Sequence, residues 1–179
     1  IREKIVSDYQ TQIDAGFADA NRYLELMNEK NAAAVEAAEK AGVVLAFETM
    51  ENEFMNTVEK AMKYVTLVNS PYLKIYPDSG NLNNAAINYK NDVIEDFELG
   101  RGHVVALHMK ETVPGKFREI PYGTGNVDFE AFAEKAWDMG VRKFVTEFWY
   151  VGNPDWMEDL KSAHKMFEDI LEKTVANAK

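Results

Sequence analysis

The sequence contains no cysteine among its 179 residues. This absence excludes disulfide bridges, thiol nucleophiles and thiolate metal sites, so any metal has to be held by oxygen and imidazole ligands. The sequence also lacks an apolar run of the roughly 18–20 residues that a membrane helix needs, and it shows no signal peptide. We therefore expect a protein with no membrane partner, located in the cytoplasm.

Basic residues are scarce as well. The chain has 20 Lys and Arg against 30 Asp and Glu, which gives a formal net charge of -10. Because nucleic acids attract positively charged surfaces, a nucleic-acid partner is disfavoured. Apolar residues make up 46% of the chain, which is enough for the core of a single folded domain over residues 1–179. The chain begins at Ile1 in a helical pattern, so we expect it to be a piece of something longer.

The pattern of apolar residues alternates between short runs and helical periodicity. Helices are predicted over residues 1–16, 19–40, 54–67, 92–99, 128–139 and from 155 towards 176. Strands are predicted over 43–47, 72–76, 104–107 and 143–146. This rhythm is typical of an α/β fold with a parallel sheet, and we expect the first strand to be buried on both faces. Two long loops are expected, one running from Asp78 to residue 84 and one over residues 110–127.

A residue able to bind metal stands at the end of each predicted strand. These residues are Glu48, Asp78, His108 and Glu147. Because the carboxyl ends of parallel strands lie side by side, we expect the four side chains to converge. Three carboxylates and one imidazole suit Mn²⁺, Mg²⁺, Co²⁺ or Zn²⁺. A single acid at a strand end is more often a helix cap, but four in register are hard to obtain from capping alone.

Three neighbouring side chains are candidates for substrate contact. Lys110 stands two residues beyond a predicted ligand and could reach a substrate. Arg118 lies in the second long loop, and Arg is a natural bidentate partner for phosphate or for a cluster of sugar hydroxyls. Trp149 lies just past a strand end, where core packing and substrate stacking are both open.

Five segments of the sequence resemble the motifs of one enzyme family, the L-ribulose-5-phosphate (L-xylulose-5-phosphate) 3-epimerases. The segments are residues 45–50 (LAFETM), 76–82 (YPDSGNL), 106–111 (ALHMKE), 115–125 (GKFREIPYGTG) and 146–149 (TEFW). The resemblance extends over residues 22–152. That family belongs to the xylose isomerase-like TIM barrels, so the resemblance implies a (β/α)8 barrel fold.

The resemblance also implies roles for particular residues. The four strand-end residues would hold one divalent metal, and Glu48 and Glu147 would also be the catalytic acid/base pair. Asn81 and Arg118 would bind the substrate, a ketopentose phosphate. The reaction would remove the proton at C3, pass through an enediolate stabilised by the metal, and return a proton on the opposite face.

The length of the chain departs from the family. A complete barrel needs about 250 residues, and the four strand–helix units found here match the last four of the family. The sequence therefore predicts the C-terminal half of a barrel. A half-barrel exposes two sheet edges, so we expect a homodimer or completion by a missing N-terminal half.

Two alternative functions remain open from the sequence. The first is another sugar isomerase of the same barrel superfamily, such as an aldose–ketose isomerase, a hydroxypyruvate-type isomerase or an inosose dehydratase. An endonuclease acting on abasic sites is disfavoured by the negative charge and by the single well-placed histidine. The second alternative is a folded half-barrel scaffold without turnover.

Overall fold

The computed structural model describes Arg22, Glu25, residues 29–150 and residues 152–178. The predicted helix over residues 1–16 lies outside the described residues. Helix α1 is seen over residues 29–41, and Gly42 follows it with a φ of +68°, so the predicted helix end at this glycine is confirmed. In the part of the chain that is described, no helix is long and apolar enough to cross a membrane.

Four parallel strands lie side by side in chain order. They are β1 (Leu45–Glu48), β2 (Leu73–Tyr76), β3 (Leu107–Met109) and β4 (Phe144–Thr146). Strand β1 pairs with β2 and β3 pairs with β4, both in parallel. Parallel bridges from Ile75 to Val104 and from Asp78 to His108 connect the two pairs. The predicted strand–helix repeat with a parallel sheet is therefore confirmed.

Five further helices follow α1. They are α2 (Val58–Val68), α3 (Ser79–Tyr89), α4 (Val93–Glu98), α5 (Phe129–Asp138) and α6 (Trp156–Asn177). Thr57, Asp92 and Asp128 each accept a hydrogen bond from a backbone N–H in the first turn of the helix that follows. Such N-caps stabilise a helix by satisfying donors that have no partner inside it. The predicted cap at Asp128 is confirmed.

The segment after Asp78 is a helix, and the expectation of a loop there was wrong. Its sequence is rich in Gly and Asn, which are poor helix formers. Tertiary contacts outweigh this preference: Asp78 caps α3, and Gly80 lies so close to the β3–α5 loop that a Cβ there would come within 2.9 Å of the Lys110 carbonyl oxygen. The glycine thus allows the first turn of α3 to pack directly on that loop.

The hydrophobic core lies between the sheet and the helices. Val58, Ile75, Phe97, Leu107 and Phe132 are completely buried in it. The opposite face of the sheet, which we call the inner face, is open: Ala46 in β1 is exposed, and Val145 in β4 is 44% exposed. The expectation that the first strand, over residues 43–47, is buried on both faces was therefore wrong: Val43 and Val44 are about half exposed, because the described residues form only four strands and not a closed barrel.

Candidate metal centre

Glu48, Asp78, His108 and Glu147, which we call the tetrad, meet at one end of the sheet. Glu48 ends β1, Asp78 follows β2, His108 lies in the middle of β3, and Glu147 follows β4 directly. One ligand atom from each residue lies within 4.8 Å of those of the other three. The parallel order of the strands brings the four together, since their carboxyl ends lie on the same edge.

The imidazole of His108 is at the centre of the tetrad. Its Nδ1 atom is 2.9 Å from Glu48 Oε1, 3.1 Å from Glu147 Oε2 and 3.9 Å from Asp78 Oδ2. The ring of Tyr76 packs against the imidazole with a centroid distance of 4.1 Å. One nitrogen therefore faces three carboxylates, and the tyrosine limits how the ring can turn.

Asp78 is fully buried, and its two oxygens have different partners. Oδ1 accepts a hydrogen bond from the backbone N–H of Asn81 at 2.7 Å. Oδ2 lies 3.2 Å from the ammonium group of Lys110. Burial raises the pKa of Asp78 to about 7, although the charge of Lys110 and the Asn81 hydrogen bond act in the opposite direction. This carboxyl group is therefore protonated more readily than an ordinary aspartate.

Glu147 has the opposite electrostatic environment. Its hydrogen bond with His108, assisted by the charge of Lys110, lowers the pKa of Glu147 to about 2. For His108, burial alone lowers the pKa, but the hydrogen bond with Glu147 and the charge of Glu48 outweigh it, so the pKa is raised. The tetrad thus contains one carboxyl group that is held ionised and one that is protonated readily.

The residues of the tetrad fit a divalent metal ion. Three carboxylates and a ring nitrogen form the oxygen-rich set that Mn²⁺, Mg²⁺, Co²⁺ and Zn²⁺ accept. Converging carboxylates repel one another strongly at low dielectric, and a single bound cation relieves that repulsion. The three carboxylate oxygens that now face His108 Nδ1, together with that nitrogen, would be the ligands.

Lys110 is buried beside the tetrad. Its ammonium group lies 3.2 Å from Asp78 Oδ2 and 3.6 Å from Glu147 Oε1, and only 4% of the side chain is exposed. Such a charge stays buried only because it is paired. Contact between Lys110 and a substrate remains a prediction; what the structure gives is a fixed positive charge next to two tetrad carboxylates.

Arg118 and Trp149 lie together beside Glu147, one residue of the tetrad. The guanidinium of Arg118 lies over the Trp149 ring, 4.3 Å from its centroid, and Arg118 Nε is 2.6 Å from Glu51 Oε1. The indole Nε1 of Trp149 donates to Glu147 Oε1 at 3.1 Å. The two side chains therefore border the tetrad, and their binding of substrate stays a prediction.

Asn81 is the fourth predicted substrate residue, and it is buried in the first turn of α3. Its side-chain amide donates to the backbone oxygen of Thr49 at 2.8 Å, while the Thr49 hydroxyl accepts from the backbone N–H of Asp78. These contacts join the ends of β1 and β2 behind Asp78. A substrate contact of Asn81 also stays a prediction.

Two residues to which the sequence analysis assigned no role support the site. The buried carboxylate of Glu111 accepts hydrogen bonds from the backbone N–H groups of Thr112, Gly123 and Val127. The hydroxyl of Tyr122 lies 2.6 Å from the Met109 carbonyl oxygen and 2.5 Å from that of Glu147. No sequence pattern indicates either role, because each depends on how the loop over residues 110–127 folds back.

A cavity of about 240 Å³ adjoins the tetrad on the β4 side. Its lining includes Lys110, Glu147, Tyr122, Trp149 and Ser162. Aromatic rings together with a few polar groups are typical of a pocket for a small polar ligand. Besides Glu147, the acidic residues Glu111, Glu119 and Asp159 also line the cavity.

Comparison with known proteins points to one family. A family model described as xylose isomerase-like TIM barrel matches residues 9–170. L-ribulose-5-phosphate 3-epimerases UlaE of Escherichia coli and Shigella boydii are 40% identical over 116 residues, which is 64% of this chain and 39% of each relative.

Solved structures agree in fold. A structure of L-ribulose 3-epimerase matches with a TM-score of 0.68 at 19% identity, over 84% of this chain and 55% of that one. A D-tagatose 3-epimerase-like protein matches with a TM-score of 0.71 at 20% identity, over 85% and 55%. This chain therefore spans about half the length of those structures and 39% of the length of the curated relatives.

Proposed function

This chain belongs to the xylose isomerase-like TIM barrel family, and on that premise we propose that it carries the metal-dependent centre of a ketopentose-phosphate 3-epimerase. The proposed substrates are L-ribulose 5-phosphate and L-xylulose 5-phosphate. The observation that carries the proposal is the tetrad, whose four ligand atoms lie within 4.8 Å of one another. The 40% identity to L-ribulose-5-phosphate 3-epimerases supports the choice of substrate.

Glu48 and Glu147 are the proposed acid/base pair. They extend from β1 and β4, the two outer strands of the four, so they approach the centre from opposite sides. One of the two, as the carboxylate, removes the proton at C3, and the other, as the carboxylic acid, delivers its own proton to the opposite face, which inverts that carbon. The pKa of Glu147 is lowered to about 2, so at neutral pH this group starts as the carboxylate and not as the acid.

The tetrad would hold the metal, and Lys110 adds a positive charge at its edge. A divalent cation, when bound, supplies Lewis-acid stabilisation of the negative charge that develops on the substrate oxygens. The Lys110 ammonium, 3.6 Å from Glu147 Oε1, favours the ionised form of that carboxylate. Tyr76 keeps the His108 ring oriented by packing against it at 4.1 Å.

A closed barrel is part of the proposal. Strands β1 and β4 each pair on one side only among the described residues, and unpaired edges attract further strands. We propose that a second copy of this chain, or the remaining half of a barrel, pairs with these edges. Since the chain spans 39% of the relatives' length, residues of that partner would complete the substrate pocket.

The proposed activity is tested by following C3 epimerisation of L-ribulose 5-phosphate with and without Mn²⁺. We expect turnover that depends on Mn²⁺ and is lost in Glu147→Gln. The control is Glu95→Gln, which changes an exposed carboxylate on α4 and should have the activity of the unaltered chain. Absence of turnover from a folded protein that binds Mn²⁺ would contradict an active epimerase centre in this chain by itself.

A second candidate is the epimerisation of an unphosphorylated ketose. The cavity beside Glu147 has acidic walls at Glu119 and Asp159, and the one cation among its described lining residues, Lys110, is already paired. A phosphate dianion is disfavoured there. Comparing L-ribulose with L-ribulose 5-phosphate in the same assay decides between the two, because a higher kcat/KM for the free sugar would favour this second candidate.

A further inference from the structure

Three loops beside the tetrad are linked by a chain of side-chain contacts that ends at Glu147. Glu51, from the loop after β1, pairs with Arg118 at 2.6 Å. Arg118, from the loop after β3, lies 4.3 Å from the ring centroid of Trp149. Trp149, just past β4, donates its indole N–H to Glu147 Oε1 at 3.1 Å. We call Glu51, Arg118 and Trp149 the strap.

Glu147 has several ways to orient its carboxylate, and only some of them serve the tetrad. Its Oε2 atom faces His108 Nδ1 at 3.1 Å. Its Oε1 atom is held from the other side by Trp149 and, at 3.6 Å, by Lys110. A glutamate loses appreciable side-chain entropy when it is fixed, so a donor on Oε1 favours the orientation that presents Oε2 to the centre.

The indole of Trp149 needs support of its own, because 42% of this residue is exposed. The guanidinium of Arg118 covers its ring, in the arrangement of a cation–π contact. Arg118 is itself 48% exposed in its side chain and is anchored by Glu51. Through the strap, Glu51, which lies outside the tetrad, can influence the orientation of the Glu147 carboxylate.

We propose that Trp149 is a positioning residue for Glu147, and that Arg118 and Glu51 hold its indole in place. The proposal rests on the proposed function, since it assumes that Glu147 is a metal ligand. It gives Trp149 a role that acts through Glu147 and not through contact with the substrate. Removing a supporting group of this kind typically weakens metal binding by about 10–100-fold.

The test is the affinity of the whole chain for Mn²⁺, measured by calorimetry without any substrate. Trp149→Phe keeps an aromatic ring and removes the N–H donor, and we expect it to bind Mn²⁺ about 10-fold more weakly. Trp156→Phe is the matched control, because Trp156 is equally exposed at 42% and begins α6. We expect its affinity for Mn²⁺ to equal that of the unaltered chain.

Two further measurements make the outcome specific. Arg118→Gln, at an exposed position, is expected to weaken Mn²⁺ binding in the same direction by a smaller factor. Binding of Mn²⁺ is also expected to change the tryptophan fluorescence, and Trp149→Phe should abolish that change while Trp156→Phe retains it. Neither result follows if Trp149 only stacks on a substrate, because no substrate is present.

Unchanged Mn²⁺ affinity in Trp149→Phe overturns the positioning role and leaves the proposed metal centre intact. If the unaltered chain binds no Mn²⁺, the proposed function and this inference fail together. The proposal is supported if Trp149→Phe binds Mn²⁺ more weakly than the unaltered chain and Trp156→Phe binds it equally well.

Discussion

At the scale of single residues, Asp78 uses its two oxygens for two different purposes. Oδ1 caps helix α3 through the Asn81 N–H, and Oδ2 faces Lys110 and the tetrad. From sequence, capping and metal binding are competing interpretations of such an acid. In the structure Oδ1 caps the helix, and Oδ2 is left available as a metal ligand.

Because one oxygen caps α3 and the other faces the tetrad, two substitutions of Asp78 should give different results. Asp78→Asn and Asp78→Ala both remove the buried partner of Lys110, so both should destabilise the protein and lose Mn²⁺ affinity by at least about 10-fold. Because asparagine is as good an N-cap as aspartate, Asp78→Ala should lose a further ~0.5–2 kcal/mol of unfolding free energy relative to Asp78→Asn. Urea unfolding in EDTA, combined with Mn²⁺ titration, measures both. Equal Mn²⁺ affinity in Asp78→Asn and the unaltered chain would exclude Asp78 as a ligand.

Protonation of the tetrad predicts how Mn²⁺ binding depends on pH. Burial raises the pKa of Asp78 to about 7. Burial lowers the pKa of His108, but its carboxylate neighbours reverse this and raise it. A metal needs both groups deprotonated, so Mn²⁺ affinity should rise from pH 6 to pH 8, with release of protons. Calorimetry in two buffers of different ionisation enthalpy measures that release, and an affinity independent of pH over this range would contradict it.

At the scale of elements, the loop over residues 110–127 is organised by one buried carboxylate. Glu111 is 3% exposed and accepts three backbone hydrogen bonds from its own loop. Gly125 lies against it so closely that an added Cβ would overlap the carboxylate. The same loop carries Arg118 and Tyr122, so its shape determines what surrounds the tetrad.

We therefore expect Glu111→Gln to destabilise the protein by about 1–3 kcal/mol, since the amide leaves part of the buried N–H cluster without an acceptor. Glu119→Gln is the matched control, because Glu119 is exposed on the same loop and should unfold at the same urea concentration as the unaltered chain. Equal midpoints for the two variants would show that Glu111 does not stabilise the loop.

The elements also show what could be predicted from the sequence. Short apolar runs separated by helical periodicity predict the four parallel strands, and a metal-binding residue at each strand end predicts the tetrad. Helix α3 could not be predicted in this way, because its Gly- and Asn-rich start forms a helix only through the Asp78 cap and the close contact of Gly80 with Lys110. The contacts of Glu111, and of Arg118 with Trp149, depend on loop conformation, for which the sequence carries no periodic pattern.

At the scale of the whole molecule, the inner face of the sheet is open and exposes an apolar side chain. Val145, the middle residue of the outer strand β4, is 44% exposed. Leu67 on α2 is even more exposed, at 61%, but it lies on a helix and away from the strand edges. Apolar groups on an open sheet favour association with further strands.

We expect the chain to have a solution mass above its monomer mass of 20.3 kDa, and Val145→Asp to reduce the mass to that of the monomer. Leu67→Asp should keep the larger mass, because it introduces the same charge outside the proposed interface. Light scattering after size exclusion measures all three proteins. A well-folded monomer of the unaltered chain would contradict association through the open sheet.

The most direct test of the metal centre is the number of Mn²⁺ ions that the chain binds after treatment with EDTA. Calorimetry should give one ion per chain, and His108→Ala should weaken the binding by more than about 100-fold, since a ligand is more important than its supporting groups. His164→Ala, an exposed histidine on α6, should bind one ion with unchanged affinity. No binding to the unaltered chain, or equal binding to His108→Ala, would contradict a metal centre at the ends of the four strands.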